Sequence, residues 1–289
     1  MSHASTDSAA PAETVIAPSR GWRFLDAREL WAYRDLLWLL VWRDFATRYR
    51  QTVLGPLWFV VQPLLTTLIF TVVFGQIAHI STGGVPPFLF YLCAQQPWNY
   101  FAQTFQSTSV TFANNAGLFG KVYFPRLVVP LAAVVSNLLA FAIQLATFAG
   151  FYIALKFTAA APAFAAGPSA LLLPLALVQV AAFSLGVGLS VTALTAKFRD
   201  FSILATFVLQ LWFYATPVIY PLAQVPDRWR GLAALNPMAM PEELFRHALL
   251  GTAAPSAGVV AASLAGTALI LAGGLLLFQR VEKNFVDVV

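Results

Sequence analysis

The sequence has few charged residues. Asp, Glu, Lys and Arg make up only 10% of the 289 residues, whereas 59% are hydrophobic; a soluble domain has about 25% charged residues. No charged residue occurs in four stretches, residues 51–120, 127–155, 157–196 and 247–279. Because a membrane-spanning helix needs about 20 apolar residues, this composition excludes a water-soluble fold and predicts an all-α integral membrane protein.

Cysteine and metal-ligand patterns are also scarce. Cys93 is the only cysteine, so an intrachain disulfide is excluded, and no His/Cys cluster has the spacing of a metal site. The net charge of +5 comes from residues that flank apolar segments. These basic residues do not form a patch on a soluble domain, which argues against nucleic acid as a partner.

Motifs for nucleotide binding and catalysis are missing. The segment Gly117-Leu118-Phe119-Gly120-Lys121-Val122 lacks the glycine spacing and the Ser/Thr of a phosphate-binding loop. The chain contains no Gly-x-Ser-x-Gly, no His-Glu-x-x-His and no paired carboxylates at a membrane surface. We therefore expect no catalytic residues and no cofactor in this chain. Because the predicted spans lack charged residues, ion-driven transport is also disfavoured.

Six transmembrane helices are predicted, and their flanking charges give an orientation. The spans are placed at residues 57–79, 87–110, 128–155, 171–195, 201–220 and 257–279. With both termini in the cytoplasm, seven arginines from Arg20 to Arg50 and six basic residues after the second, fourth and sixth spans lie inside, against four outside. This distribution follows the positive-inside rule.

The residues before the first span divide into two parts. Residues 1–22 have the composition of a disordered cytoplasmic tail, and residues 23–52 predict an amphipathic helix at the membrane interface, because tryptophans alternate with arginines. Asp44 and Arg48 have the i,i+4 spacing of a helical ion pair. The helix is interpreted either as a solvated juxtamembrane element or as one that contacts a partner or gates a pathway.

A segment of mixed polarity separates the fifth and sixth spans. Residues 221–251 are too polar to span the membrane, yet they contain several large apolar side chains. Asn236-Pro237 indicates a turn and Pro241 a helix start. Short re-entrant helices fit this pattern, and an ordinary extracytoplasmic loop is the alternative.

Neutral polar and aromatic residues are concentrated in two spans. Aromatic rings stack on the apolar faces of sugar rings, and amides exchange hydrogen bonds with sugar hydroxyl groups. The sequence therefore predicts a sugar pathway, unless these residues pack between helices or form an interfacial aromatic belt. The candidate pathway residues are Gln96, Trp98, Tyr100, Phe101, Phe105, Trp212, Tyr214 and Tyr220.

Three groups of residues resemble the permeases of ABC-type polysaccharide exporters, the family of O-antigen, teichoic acid and capsule export. The resemblance covers about residues 25–285. It is carried by Trp42-Arg43-Asp44-Phe45, Arg48-Tyr49, Leu54-Gly55-Pro56-Leu57-Trp58 and Pro63; by Asn114-Asn115 with Lys121-Val122-Tyr123-Phe124-Pro125-Arg126; and by Arg199-Asp200, Thr216-Pro217-Val218-Ile219-Tyr220 and Asn236-Pro237.

The resemblance implies a function and an assembly. A homodimer of six-span subunits (residues 53–289) would work with two separate ATPase chains, which bind ATP and Mg. Together they would export a lipid-linked polysaccharide from the cytoplasm across the bacterial inner membrane. A permease for a smaller lipid or drug is the alternative within transport. A membrane scaffold and an integral-membrane glycan or lipid transferase are the alternatives outside transport.

The resemblance also implies roles for particular residues. Residues 112–126 would form the coupling segment that contacts the ATPase, through Asn114, Asn115, Lys121, Phe124, Pro125 and Arg126. Residues 221–251 would form re-entrant gate helices. Arg48 or Arg50 would pair with the pyrophosphate of the carrier lipid, or would simply anchor the chain at the inner interface.

Overall fold

The computed structural model describes residues 27–50, 52–157, 167–198 and 200–285, which form helices and connecting segments without a β-strand. The predicted tail and the first residues of the predicted interface helix lie outside the described residues. The helices are α1 (Ala27–Ala32), α2 (Arg34–Tyr49), α3 (Trp58–Phe70), α4 (Pro87–Ser109), α5 (Thr111–Phe119), α6 (Val128–Lys156), α7 (Leu173–Thr195), α8 (Asp200–Ala215), α9 (Asp227–Ala234), α10 (Ala239–Leu250) and α11 (Ala257–Phe285).

A helix occupies the position of each predicted span. Among the described residues, four helical segments are long and apolar enough to cross a membrane: Gly55–Ile77, Val128–Lys156, Pro168–Thr195 and Ala257–Glu282. Helix α8 is apolar but has only 16 residues. Helix α4 is 23 residues long, and its amides and hydroxyls lower its hydropathy. The all-helical, multi-span architecture is confirmed, whereas the count of six spans stays a prediction.

Helix α4 lies at the centre of the bundle and packs against α6, α7 and α10. Its buried aromatic residues form the core: Phe101 stacks on Phe105 and Phe183, with ring centroids 5.9 and 5.4 Å apart, and meets Trp212 edge-on. A second apolar cluster joins α2, α5, α6, α7 and α11. The amide side chains on the polar side of α4 therefore lie outside the aromatic core.

The segment before the first long helix is interrupted once. Tyr33, with φ of −95° and ψ of 17°, separates α1 from α2. Leu40 and Val41 are buried, and α2 packs on α6. The side chains of Trp31, Trp38 and Trp42 are exposed. One side of α2 is thus attached to the bundle and another presents tryptophans outward, and the position of α2 at the membrane interface stays a prediction.

Helix α3 changes its winding at Thr71. Residues Thr71–Ile77 form π-helix, in which each N–H bonds to the carbonyl five residues earlier, as from Ala78 to Val73 at 2.9 Å. A Cβ on Gly75 would lie 3.2 Å from Pro87, so α3 meets the start of α4 closely there. The helix ends near His79, whose φ is +51°.

Residues 221–251 contain two short helices, as the turn signals predict. Most of α9 is exposed, whereas most of α10 is buried against α4 and α7. Gly251, with φ of +68°, ends α10 in the left-handed conformation that favours glycine. Whether the two helices re-enter the membrane stays a prediction.

Glycines allow α7 and α11 to cross with their backbones in contact. A Cβ built on Gly186 of α7 would lie 2.7 Å from the Cα of Leu271. A Cβ on Gly274 of α11 would meet the carbonyl group of Gly186, with its carbon at 2.9 Å. Small residues at such crossings are typical of packed membrane helices. The contact is between backbones, so a flexible side chain cannot move aside to make room.

We expect Gly274→Ala to destabilise the bundle and Gly273→Ala to be tolerated. The first substitution forces a methyl group into the Gly186 backbone, and overpacking of this kind costs about 1–3 kcal/mol. Nothing lies within 4 Å of a Cβ on Gly273, and alanine is the better helix former. Thermal denaturation of the purified variants in detergent measures both effects. Equal melting temperatures for the two variants would show that the helices do not cross at Gly186.

Candidate functional site

A cavity of about 590 Å³ opens beside the polar side of α4 and is bounded by α2, α3, α6 and α8. We call it the amide cavity. Six of its lining side chains are amides: Gln62, Gln95, Asn99, Gln103, Gln106 and Gln144. Five are aromatic: Trp58, Phe59, Phe70, Trp98 and Phe213. Among the described residues, its lining includes Arg48 and no Asp, Glu or Lys.

Helical spacing explains why α4 supplies much of this lining. Gln95, Asn99, Gln103 and Gln106 recur at intervals of three or four residues, which places them on one side of the helix. Gln95 is held in place because its amide donates to Thr67 Oγ1 of α3 at 2.8 Å. The cavity therefore lies where the polar stripe of α4 faces α3.

Four predicted pathway residues of α4 are buried and do not line the amide cavity. Gln96 is fully buried and donates to the carbonyl of Leu92 at 3.1 Å. Tyr100 donates its hydroxyl to the carbonyl of Val134 at 3.3 Å. Phe101 and Phe105 belong to the aromatic core. Of the predicted pathway residues in α4, only Trp98 lines the amide cavity.

The three predicted pathway residues near the end of α8 lie apart from the amide cavity. Trp212 and Tyr220 line a separate cavity of about 470 Å³, together with residues of α9. The side chain of Tyr214 is 66% exposed, and its carbonyl accepts a hydrogen bond from Tyr220. The structure therefore does not place the eight predicted pathway residues along one cavity, although Phe101 contacts Phe105 and Trp212 in the core.

Arg48 reaches from α2 into the polar seam between α4 and α6. Its guanidinium donates to Asn137 Oδ1 at 2.9 Å and to Gln103 Oε1 at 3.3 Å. The prediction of an ion pair between Asp44 and Arg48 is wrong. The Asp44 carboxylate instead forms an ion pair with Arg43, at 2.8 Å. Arg48 is thus held by neutral amide oxygens, which leaves its positive charge without a carboxylate partner in the described part of the chain.

Arg48 also lines a second cavity of about 480 Å³. This cavity lies towards α5 and includes Asn114, Asn115 and Ser136. The hydroxyl of Ser136 is buried and has no hydrogen-bond partner in the described residues. Arg48 and Ser107 line both cavities, so the guanidinium lies between them. Arg50, the other predicted head-group residue, is exposed and lines neither.

The predicted coupling segment has exposed and buried parts. Asn114 and Lys121 are exposed, and Asn115 donates to the carbonyl of Thr111 at 3.0 Å. Phe124 is buried, and Pro125 is half-buried. Arg126 donates from its guanidinium to the carbonyl of Glu282 at 2.8 Å.

A buried charge cluster lies in α10, and sequence reasoning missed it. Arg246 is 1% exposed and donates to Glu243 at 3.1 Å and to the carbonyl of Val218 at 2.9 Å. Its guanidinium carbon lies 4.2 Å from the ring centroid of Phe90 in α4. Glu243 also accepts the N–H of Leu222 at 3.1 Å. The i,i+3 spacing of two opposite charges among large apolar residues was the available signal.

A second contact ties the same segment to α8. Asn236 accepts a hydrogen bond from the indole N–H of Trp212 at 2.9 Å and donates to Thr216 Oγ1 at 2.9 Å. Thr216 and Asn236 are both residues of the sequence pattern that resembles polysaccharide exporters. The hydrogen bond between them gives a physical reason for the presence of both Thr216-Pro217 and Asn236-Pro237 in this chain.

Comparison with known proteins decides the family. Residues 35–250, which contain α2 to α10, match the membrane family described as ABC-2 type transporter. This chain belongs to the ABC-2 type transporter family. The resemblance seen in the sequence is thereby confirmed, and the chain is a multi-pass membrane protein of an ABC transport system.

Individual relatives of this ABC-2 protein agree with that assignment. It is 28% identical over 264 residues to the O-antigen export system permease protein RfbA of Myxococcus xanthus, covering 90% of this chain and 97% of that protein. It is 28% identical over 205 residues to a protein of the same name from Klebsiella pneumoniae, covering 71% and 76%. Nodulation protein J of Sinorhizobium fredii is 28% identical over 234 residues, covering 77% and 84%.

Proposed function

We propose that this ABC-2 protein is the channel subunit of an ATP-driven exporter. Its cargo would be a lipid-linked polysaccharide of the O-antigen type, moved from the cytoplasm across the bacterial inner membrane. The names of the Myxococcus and Klebsiella relatives support O-antigen export. The observation that carries the proposal is the chemistry of the amide cavity.

The amide cavity suits a neutral glycan. Amide groups donate and accept hydrogen bonds in the same way as sugar hydroxyls do. Trp58, which is exposed, adds an aromatic face on which the C–H face of a pyranose ring can stack, and the buried Trp98 adds the part of its ring that lines the cavity. Because no Asp, Glu or Lys occurs among the described lining residues, a sliding neutral polymer meets several weak sites.

Arg48 suits the other end of such a substrate. A lipid-linked glycan carries phosphate groups where the sugar joins the lipid, and guanidinium binds phosphate with two parallel hydrogen bonds. The present partners of Arg48 are amide oxygens, which an anion can replace without breaking an ion pair. Arg50 is exposed at the end of α2 and would assist at the surface.

The proposal includes a homodimer because one chain offers too small a space. A cavity of about 590 Å³ has the volume of a drug-sized ligand site. A polymer needs a continuous passage instead. A second copy of the chain would supply the opposite wall of a channel.

The proposal also includes six spans with both termini in the cytoplasm. Four helices meet the length and hydropathy expected of a span, and α4 and α8 would complete the set. Helix α4 turns its polar residues to a cavity and its apolar ones to neighbouring helices, so it does not need a uniformly apolar surface. Helices α9 and α10 would re-enter from the outer face.

ATP and Mg would be bound by two separate ATPase chains, with this chain acting as a transport subunit and not as an enzyme. Residues 112–126 would contact the ATPase. Deleting the chain in its own bacterium tests the function as a whole, because lipid-linked polysaccharide should accumulate on the cytoplasmic face of the inner membrane. Unchanged surface polysaccharide in the deletion strain would overturn the proposal.

We expect Trp98→Ala to slow export and Tyr214→Ala to leave it unchanged. Trp98 lines the amide cavity, whereas Tyr214 lies outside it. Loss of one aromatic contact, about 0.5–1.5 kcal/mol, corresponds to a fall of roughly 2- to 10-fold. Surface polysaccharide is the readout, with the membrane level of each variant as control. Equal export by the two variants would remove Trp98 from the pathway.

A further inference from the structure

The predicted coupling segment is attached to the far end of the chain by aromatic rings. Phe112 of α5 stacks on Phe278 of α11, with ring centroids 4.8 Å apart and 15° between the planes. Phe119 contacts both Phe112 and Phe124, at 6.0 and 5.8 Å. All four rings are buried. The segment therefore shares a compact apolar contact with α11, which follows it in sequence by about 150 residues.

Polar contacts of Arg126 reinforce this attachment at the end of α11. The guanidinium donates to the carbonyl of Glu282 at 2.8 Å, and the backbone N–H of Arg126 donates to Glu282 Oε1 at 3.3 Å. The guanidinium carbon also lies 5.6 Å from the ring centroid of Phe119. The last carbonyls of a helix lack partners within the helix and carry partial negative charge, so a cation there is stabilising.

The neighbouring residues of the segment have the opposite character. Val122 and Tyr123 are 54% and 70% exposed, and Lys121 is exposed beside them. A partner chain approaching the segment would meet Lys121 to Tyr123 first. Arg126, in contrast, is half-buried and directed towards α11.

Close packing continues from α11 into the helix that lines the amide cavity. Helix α11 meets α7 through the backbones of Gly274 and Gly186, and α7 meets α4 where a Cβ on Gly188 would lie 2.7 Å from the Cβ of Thr108. Such contacts leave little room for independent sliding. A displacement of α11 would thus be passed to α7 and then to α4.

We propose that Arg126 is a positioning residue that fastens the coupling segment to α11, so that movement of Lys121 to Tyr123 by the ATPase also moves α11. This inference rests on the proposed function and alters one part of it, because Arg126 serves as an internal brace and not as a contact with the ATPase. Two elements are then moved by one contact: α6, which follows the segment directly, and α11, which Arg126 attaches.

The test compares Arg126→Ala, Arg126→Lys and Lys121→Ala in vesicles that contain the chain with its ATPase partner. Three quantities are measured: the ATPase retained, the ATP hydrolysed and the polysaccharide moved per ATP. We expect Arg126→Ala to retain the ATPase and to move about 5-fold less polysaccharide per ATP, the lower range of a coupling free energy. Arg126→Lys should restore most of the ratio, because lysine can still donate to the Glu282 carbonyl.

Lys121→Ala is the matched comparison for a surface contact. It should lower ATPase retention, whereas Arg126→Ala should retain the ATPase and lower the polysaccharide moved per ATP. Loss of ATPase retention in Arg126→Ala, or an unchanged transport ratio in that variant, would overturn the brace. A wild-type chain that retains no ATPase would overturn the proposed function itself, and the inference with it.

Discussion

Replacing Arg246 with leucine is expected to destabilise the fold strongly. Arg246 is 1% exposed, and its guanidinium joins Glu243 to the carbonyl of Val218. Without it, a half-buried carboxylate and a backbone acceptor lose a charged partner. Breaking a buried ion pair from one side costs about 3–5 kcal/mol, a large part of the stability of an ordinary domain.

The measurement is the amount of monodisperse protein recovered in mild detergent, together with its melting temperature. Both should fall strongly for Arg246→Leu and less for Arg246→Lys, because lysine keeps the charge but cannot reach several acceptors at once. Recovery and melting of Arg246→Leu equal to those of the wild type would show that α10 does not depend on this cluster.

Glu242 provides the matched control within the same helix. It is 0% exposed, and neither carboxylate oxygen has a hydrogen-bond partner in the described residues. Burial raises the pKa of the Glu242 carboxyl well above its usual range, although the nearby charge of Arg246 partly opposes this. The protonated acid is therefore favoured, and Glu242→Gln keeps its shape without a charge. We expect Glu242→Gln to melt close to the wild type; a loss comparable to Arg246→Leu would mean that Glu242 is ionised in the fold.

The positions of the long helices could be predicted because insertion into lipid depends mainly on local composition. The predicted span at 128–155 became Val128–Lys156, and that at 87–110 became Pro87–Ser109. The π-helical turns at Thr71–Ile77 could not be predicted, since a shift from i+4 to i+5 hydrogen bonding leaves no composition signal. The break at Tyr33 is of the same kind.

The candidate site was only partly predictable for a related reason. Polar and aromatic residues occur on both sides of α4, and sequence alone does not say which side meets α3 and which meets α7. Trp98 and Phe101 both belong to the apolar core, but only Trp98 also lines the amide cavity. The buried pair of Glu243 and Arg246 could not be predicted from residue type, because charged residues are rarely fully buried. The large apolar residues between them, Leu244 and Phe245, indicate burial instead.

Replacing Arg48 with glutamine is expected to reduce export by roughly 10- to 100-fold. Glutamine keeps a polar side chain without the charge, and position 48 is exposed, so the protein should remain folded. What is lost is the positive charge shared by the two cavities. A hydrogen bond to a charged group contributes about 1.5–3 kcal/mol, and each 1.4 kcal/mol is about tenfold.

Arg50→Gln separates a phosphate-binding role for Arg48 from simple anchoring at the inner interface. The two substitutions remove the same charge from the same end of α2, but Arg50 lines neither cavity. Anchoring depends on total charge, so it predicts similar, small losses of surface polysaccharide for both variants. Phosphate binding predicts a large loss for Arg48→Gln alone and an intermediate one for Arg48→Lys, which keeps the charge without the planar donor pair. Equal export by the Arg48 and Arg50 variants, at equal membrane levels, would show that Arg48 only anchors the chain. The phosphate of the lipid would then have to bind elsewhere.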